Sequence, residues 1–190
     1  MRTTASSSGA DRLSTAGRFR QLRASPIAAL VATAGGAGFF PLVPGTAGSA
    51  VGLVLAWLLS RAIASAPPSV PAAVGLLVSG LVIGLAGVPA ASRVARGLGQ
   101  KDPRCVVIDE VAGQFLASSV VPLFVRPSGF LLWILSFLFF RLFDVWKPGP
   151  VNRLQALPEG WGIVADDIAA GFLAAGATAA AAFTFGPHYS

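Results

Sequence analysis

Residues Val70 to Ala90 read VPAAVGLLVSGLVIGLAGVPA, a run without one charged side chain. Crossing the roughly 30 Å hydrocarbon core of a bilayer takes about 20 consecutive apolar residues in a helix, and this run meets that length. A helix apolar on every face is buried either in protein or in lipid. The composition around it decides for lipid. The chain has 190 residues, of which 54% are hydrophobic and 12% charged, with a mean hydropathy of +0.72. A soluble domain carries about twice that charge, so a soluble globular protein and a disordered chain are both excluded. The expected class is an all-α, polytopic helical membrane protein.

Four further segments could span. Ser49 to Ala66 precedes the first run across a turn at Pro67 to Ser69, and its one charge, Arg61, lies near its end, where it can snorkel. Cys105 to Val125 opens on Asp109 and Glu110. Gly129 to Trp146 carries Arg141 and Asp144 near its end. Gly162 to Phe185 carries Asp166 and Asp167 near its start. Pro26 to Phe40 is short and broken by Gly35, Gly36 and Gly38. About five transmembrane helices are therefore expected, with a short re-entrant or interfacial segment before them. Residues 1–24 form a basic polar extension, residues 25–186 a single membrane domain and residues 187–190 a tail.

Basic loops stay in the cytoplasm. The loop Ala91 to Arg104 carries Arg93, Arg96, Lys101 and Arg104 against Asp102, and the loop Lys147 to Trp161 carries Lys147 and Arg153 against Glu159. The N-terminal extension holds five arginines and one aspartate. All three fall on one side if two spans lie between Ala24 and Ala91. The net charge is +6, which in so apolar a chain suits anionic headgroups and not nucleic acid. The spacings Gly48-x-x-x-Gly52 and Gly80-x-x-x-Gly84 could bring helices close, a weak signal in a chain with 22 glycines.

Five of the eight acidic residues lie in or against apolar segments, and this topology places Asp109, Glu110, Asp144, Asp166 and Asp167 on the same side. Carboxylates at membrane depth are costly unless paired, hydrated or bound to a cation. Arg141 and Lys147 supply part of the positive charge, and all-oxygen ligation by the five acids suits Mg²⁺. The stretch Ile108 to Ala117 aligns without gaps on Ala165 to Ala174, with five of ten positions identical and an acidic pair at the start of each. Arg141, Asp144 and Lys147 share one helical face, where the two cations would flank a carboxylate and bind phosphate. The turn Pro41-Leu-Val-Pro-Gly-Thr-Ala-Gly-Ser49 could form an anion nest at a helix N-terminus, with Gly45, Thr46 and Ser49 donating to it. Cys105 reads as a small buried thiol, and His188, the one histidine, lies in the tail. Histidine-based chemistry has little support.

Together these motifs resemble the phosphatidylglycerophosphatase A family: Pro44 to Ser49, Asp109-Glu110 with Gly113, Phe140-Arg141 with Asp144 and Trp146-Lys147-Pro148, and Gly162-Ile163 with Asp166-Asp167 and Gly171, in that order between about Ala28 and Phe185. The resemblance implies a Mg²⁺-dependent phosphatase of the bacterial inner membrane. It would convert phosphatidylglycerophosphate into phosphatidylglycerol and inorganic phosphate at the cytoplasmic face, in phospholipid biosynthesis. Asp109, Glu110, Asp144, Asp166 and Asp167 would then hold metal, and Arg141, Lys147, Thr46, Gly45 and Ser49 would hold phosphate. Asp109, Asp167 and Glu110 are the catalytic candidates, either as base for an attacking water or as nucleophile. A cation-coupled transporter lined by the same acids is the alternative.

Overall fold

The computed structural model describes residues 25–64, 68–124 and 130–185, so the basic extension, the tail with His188, and residues 65–67 and 125–129 lie outside the described residues. Every regular element among the described residues is a helix. Helix α1 (Pro26–Ala32) runs into a 3-10 segment, Ala34–Phe39. Then follow α2 (Pro44–Ile63), α3 (Val70–Leu98), α4 (Ile108–Ser118), a 3-10 turn (Val121–Leu123), α5 (Phe130–Trp146), the short α6 (Pro150–Leu154) and α7 (Gly160–Phe185). The boundaries follow from local chemistry. Prolines occupy the first turns of α1, α2 and α3, where a missing N–H costs nothing. Ser69 caps α3 by accepting from the Ala72 N–H at 3.3 Å. Gly99 ends α3 in the left-handed conformation, φ +64°.

The helices are patterned inside out relative to a soluble bundle. On α2 the buried stripe is Gly48, Ser49, Gly52, Ala56 and Ser60, while Val54, Leu55, Trp57 and Leu58 are exposed. On α3 the exposed stripe is Val70, Val74, Val78, Val82 and Leu85. Small residues face protein and large apolar ones face outward, which is stable only with lipid outside. Three helices, Pro44–Ile63, Val70–Leu98 and Gly160–Thr184, are long and apolar enough to cross a membrane.

The other two expected spans are shorter, so the count of five is not confirmed. Helix α5 has 17 residues, about 25 Å of rise. The segment Cys105 to Val125 forms α4 of only 11 residues, about 16 Å long and half a bilayer core. Its environment explains this. All of α4 except Glu110 is buried, packed against α2, α3, α5 and α7. It is enclosed by protein and has no bilayer to match. Past its end, the Pro122 carbonyl accepts from the Ser69 N–H at 2.9 Å, tying the turn to the start of α3. The N-terminal element is shorter still. Helix α1 has 7 residues, and Gly35 and Gly36 break the chain after it with positive φ. It packs on α3 and does not span.

Glycines bring the enclosing helices onto α4. A Cβ at Gly52 would stand 3.0 Å from the Gln114 Cβ, and one at Gly80 would stand 2.9 Å from Leu116. Both Gly-x-x-x-Gly pairs therefore mark helix contacts. Where α7 crosses α4, a Cβ at Gly171 would come within 2.6 Å of the Gly113 carbonyl oxygen. Beneath this crossing the Gln114 amide donates to Ser118 Oγ at 2.9 Å, and Ser118 and Ser136 hydroxyls meet at 3.1 Å, joining α4 to α5.

The crossing gives a test of the packing. Gly171→Ala should destabilise the protein by about 1–3 kcal/mol, because rigid backbone opposes the added methyl. Gly176→Ala on the same helix meets nothing within 4 Å and should be neutral or stabilising by about 0.5–1 kcal/mol. Thermal unfolding in detergent reads the difference.

Candidate functional site

One end of the bundle gathers the chemistry. Gly45 and Thr46 at the start of α2, Asp102 beyond α3, Asp109 and Glu110 at the start of α4, Arg141, Asp144 and Lys147 around the end of α5, and Asp166 and Asp167 near the start of α7 line one cavity of about 290 Å³. The five helices thus alternate in direction, as the charge pattern of the loops requires. Ile108 lies against Gly87 of α3, about 25 Å of helix from Val70. The start of α4 therefore lies level with the C-terminal half of α3.

Two helix N-termini, those of α2 and α4, lie at this cavity, and α7 reaches it with its second turn. The partial positive charge at the two helix starts favours carboxylates and anions alike. The five predicted acids separate by partner. One carboxylate oxygen from each of Asp109, Glu110 and Asp167 lies within 4.8 Å of the others. Asp144 pairs with Arg141 at 2.6 Å. Asp166 pairs with Lys147 and also accepts from the Gln155 amide at 3.1 Å. Buried oxygens Asp109 Oδ1, Glu110 Oε2, Asp166 Oδ1 and Asp167 Oδ2 have no hydrogen-bond donor. A buried anion left so is expensive, and a cation is the partner that would satisfy the three clustered acids together. Six acidic and only three basic side chains line the cavity, so the site is short of positive charge. All-oxygen donors of this kind suit a hard divalent ion; the cluster could hold a metal.

The predicted phosphate-binding residues differ in placement. Arg141, Lys147, Gly45 and Thr46 line the cavity. Ser49 lies behind it, fully buried. Its hydroxyl donates to the Gly45 carbonyl at 3.0 Å and accepts from Arg141 Nη1 at 3.2 Å, so it steers the guanidinium. A Cβ at Gly45 would press on Glu110 Oε1, the movable end of that side chain, and so would displace the carboxylate.

Asp102, Arg104 and Gln155 also belong to this site, and sequence reasoning counted the first two only as loop charge. The loop is folded back by the Val107 N–H donating to the Ala32 carbonyl at 2.8 Å and by a turn in which Val106 N–H donates to Pro103. The available signal was its side of the membrane: a loop already placed beside the acids can return to them. Asp102 keeps an exposed surface, but crowding strips water from its carboxyl and raises its pKa; Lys147 opposes that rise, while Asp166 and Asp144 add to it. Partial burial would lower the Lys147 pKa, yet the hydrogen bond to Asp166 and the fields of Asp166, Asp167 and Asp144 outweigh it and raise the value. Cys105 is half-buried in the same loop.

Comparison with known proteins adds a second line. The family described as Phosphatidylglycerophosphatase A matches residues 30–182. The chain is 30% identical over 149 residues to a Bacteroides thetaiotaomicron protein named "Putative phosphatidylinositol-3-phosphatase", covering 78% of this chain and 89% of that one. It is 30% identical over 149 residues to Phosphatidylglycerophosphatase A of Escherichia coli, covering 77% and 78%. It is 30% identical over 147 residues to the Haemophilus influenzae protein of the same name, covering 76% and 82%. No solved structure matches the chain.

The ion pair beneath the cavity can be tested for stability. Lys147→Met strands Asp166, whose side chain is only 4% exposed. It should cost about 2–4 kcal/mol, somewhat below the value for a fully buried pair because the lysine is partly exposed. Lys147→Met with Asp166→Leu should recover much of that loss. Because the Lys147 pKa is raised in the folded protein, its contribution is complete below the ordinary lysine value of about 10.4. It fades as pH rises through the higher folded value. A double-mutant cycle read by unfolding at neutral and alkaline pH checks both statements.

Proposed function

Because the chain belongs to the phosphatidylglycerophosphatase A family, we propose that it hydrolyses phosphatidylglycerophosphate to phosphatidylglycerol and inorganic phosphate, using Mg²⁺, at the cytoplasmic face of a bacterial inner membrane. That it is a lipid phosphatase follows from the family itself. The observation that carries the finer reading is the cluster of Asp109, Glu110 and Asp167, three carboxylates from two helices with unpaired oxygens beside Arg141 and Lys147. The basic loops on the same side support the cytoplasmic orientation.

Asp109, Glu110 and Asp167 would hold Mg²⁺, with Asp144 and Asp166 completing the acidic wall. When bound, the ion would neutralise part of the carboxylate charge and polarise a phosphoryl oxygen. The protein's own groups supply the remaining work. Arg141 offers a planar fork of N–H donors to the phosphate, steered by Ser49 and Asp144. Lys147 adds a point charge on the α7 side. Gly45 and Thr46 line the same cavity at the start of α2, where a helix N-terminus suits an anion. Charge that develops on the phosphoryl oxygens during transfer meets donors already in place, which is where electrostatic catalysis gains most. Asp109 or Asp167, each with a free oxygen, would accept the proton of the attacking water. The phosphorus–oxygen bond to the lipid glycerol then breaks, and the leaving oxygen takes up that proton to give the free hydroxyl.

A transporter is not favoured. Phe140, Leu116 and Gln114 are all fully buried in the interior next to the acids, and the acids share one cavity with Arg141 and Lys147. The Bacteroides relative raises a second substrate, phosphatidylinositol 3-phosphate, which likewise carries a phosphomonoester on an anionic lipid headgroup.

Phosphate release by the purified protein in detergent micelles decides these readings. Release from phosphatidylglycerophosphate should be abolished by EDTA, restored by Mg²⁺, and faster than from phosphatidic acid or phosphatidylinositol 3-phosphate. Asp109→Asn and Asp167→Asn should each lower the rate by about 10²-fold or more. Preference for the inositol lipid would establish the second substrate. Full rates in both variants at saturating Mg²⁺ would remove these two acids from the chemistry.

A further inference from the structure

A cavity of about 290 Å³ takes a phosphorylated headgroup. It cannot also take two acyl chains, each long enough to cross half of a roughly 30 Å hydrocarbon core. A lipid bound by its phosphate must therefore send its chains out through the mouth, and the lining shows where. Five apolar residues border the cavity: Leu42, Val43, Pro44, Val106 and Ile163. Val106 and Ile163 are only 3% and 6% exposed and close their sides with protein. Leu42 and Val43 are 75% and 50% exposed while lining the same cavity.

We propose that the acyl chains of the lipid substrate leave the cavity across Leu42 and Val43, making the 39–43 segment the lip over which lipid enters the site from the bilayer. The inference rests on the lipid-phosphatase reading and deepens it. The apolar surface continues outward from the lip through Phe39 and Phe40, which are about half exposed. At the end of α5, exposed Val145 and Trp146 extend the apolar border of this end of the bundle. Tryptophan prefers the headgroup level, the depth at which a lipid phosphate lies. Exposed Asp102 and Arg104 supply the charged part of the same lining. A mouth lined by apolar side chains in one part and charged ones in another matches an amphipathic substrate. The position of the lip also follows from the fold, because Pro44 begins α2 and leaves the residues before it unable to retreat into the helix.

The test uses the full chain in phosphatidylcholine nanodiscs. Leu42→Ser with Val43→Ser should raise KM for diacyl phosphatidylglycerophosphate about tenfold, equivalent to about 1.4 kcal/mol. The rate at saturation should stay within about twofold. The inhibition constant of inorganic phosphate, which has no chains, should not move. Leu42→Met with Val43→Ile should keep the wild-type KM, showing that apolarity and not shape is read. An unchanged KM in the serine variant would overturn the proposal, as would a parallel rise in the phosphate inhibition constant, which signals a deformed cavity. A second arm needs no turnover. Phosphatidylglycerol with a photoreactive acyl chain should label residues 39–43, and excess unlabelled phosphatidylglycerophosphate should suppress that labelling. Labelling that resists competition, or that misses the segment, is annular lipid and overturns the lip. A wild-type protein that releases no phosphate from any lipid defeats the phosphatase reading instead, and the photolabelling still decides the lip.

Discussion

Three carboxylates within 4.8 Å of one another, inside an apolar bundle, are the constraint around which this protein is built. Their mutual repulsion and lost hydration would drive the helices apart unless positive charge were brought to them. The fold answers with what a membrane protein has at hand. Two helices, α2 and α4, begin at the cavity and present their N-terminal dipoles. Two cations from the end of α5 stand beside it, each already engaged by another acid, Asp144 or Asp166. What remains uncompensated is a deficit of three charges among the cavity's ionisable groups, and that deficit is what makes the site receptive to a divalent cation.

Bringing the acids so close demands short interhelical distances, and here packing and chemistry become one requirement. Glu110 and Asp167 belong to different helices, α4 and α7, which meet backbone to backbone at Gly113 and Gly171. On the opposite side, Gly52 brings α2 onto α4, where a Cβ would stand 3.0 Å from the Val111 carbonyl oxygen. The hydrophobic effect gives no pull between helices in lipid, so close van der Waals contact of this kind carries the association. The buried Gln114, Ser118 and Ser136 contacts add an orientation that apolar packing alone would leave free.

Much of this was legible before any coordinates. Charge parity among the loops put the five acids on one side, and they do meet in one cavity. The all-helical class and the broken N-terminal element followed from hydropathy and from Gly35 and Gly36. Length was the quantity that misled. Cys105 to Val125 is as apolar as a lipid-facing span, yet α4 stops at Ser118, because a helix sheathed by other helices and one sheathed by lipid need the same side chains. The division of labour among the acids was also hidden. Which carboxylates cluster and which pair with cations depends on contacts between α5, α6 and α7, such as Gln155 with Asp166. Asp102 and Arg104 were visible as charges, but nothing in their spacing shows the loop bending back to the mouth.

The ten-residue likeness between α4 and α7 shows how far such reasoning carries and where it stops. The alignment equates Asp109 with Asp166 and Glu110 with Asp167, and the two helices, packed as neighbours, do bring both pairs to the same site. If like sequence meant like role, the two pairs would divide alike. They do not. Both members of the α4 pair enter the cluster, while in α7 only Asp167 does, and Asp166 is drawn off by Lys147 and Gln155. The asymmetry comes from the surroundings: α4 is enclosed by four helices, whereas α7 runs beside α6 and the end of α5, where Lys147 and Gln155 hold Asp166. A doubled acidic motif thus yields a cluster of three with a fourth acid holding a lysine at its edge. The repeat supplies the charges, and the helices around it decide what each one does.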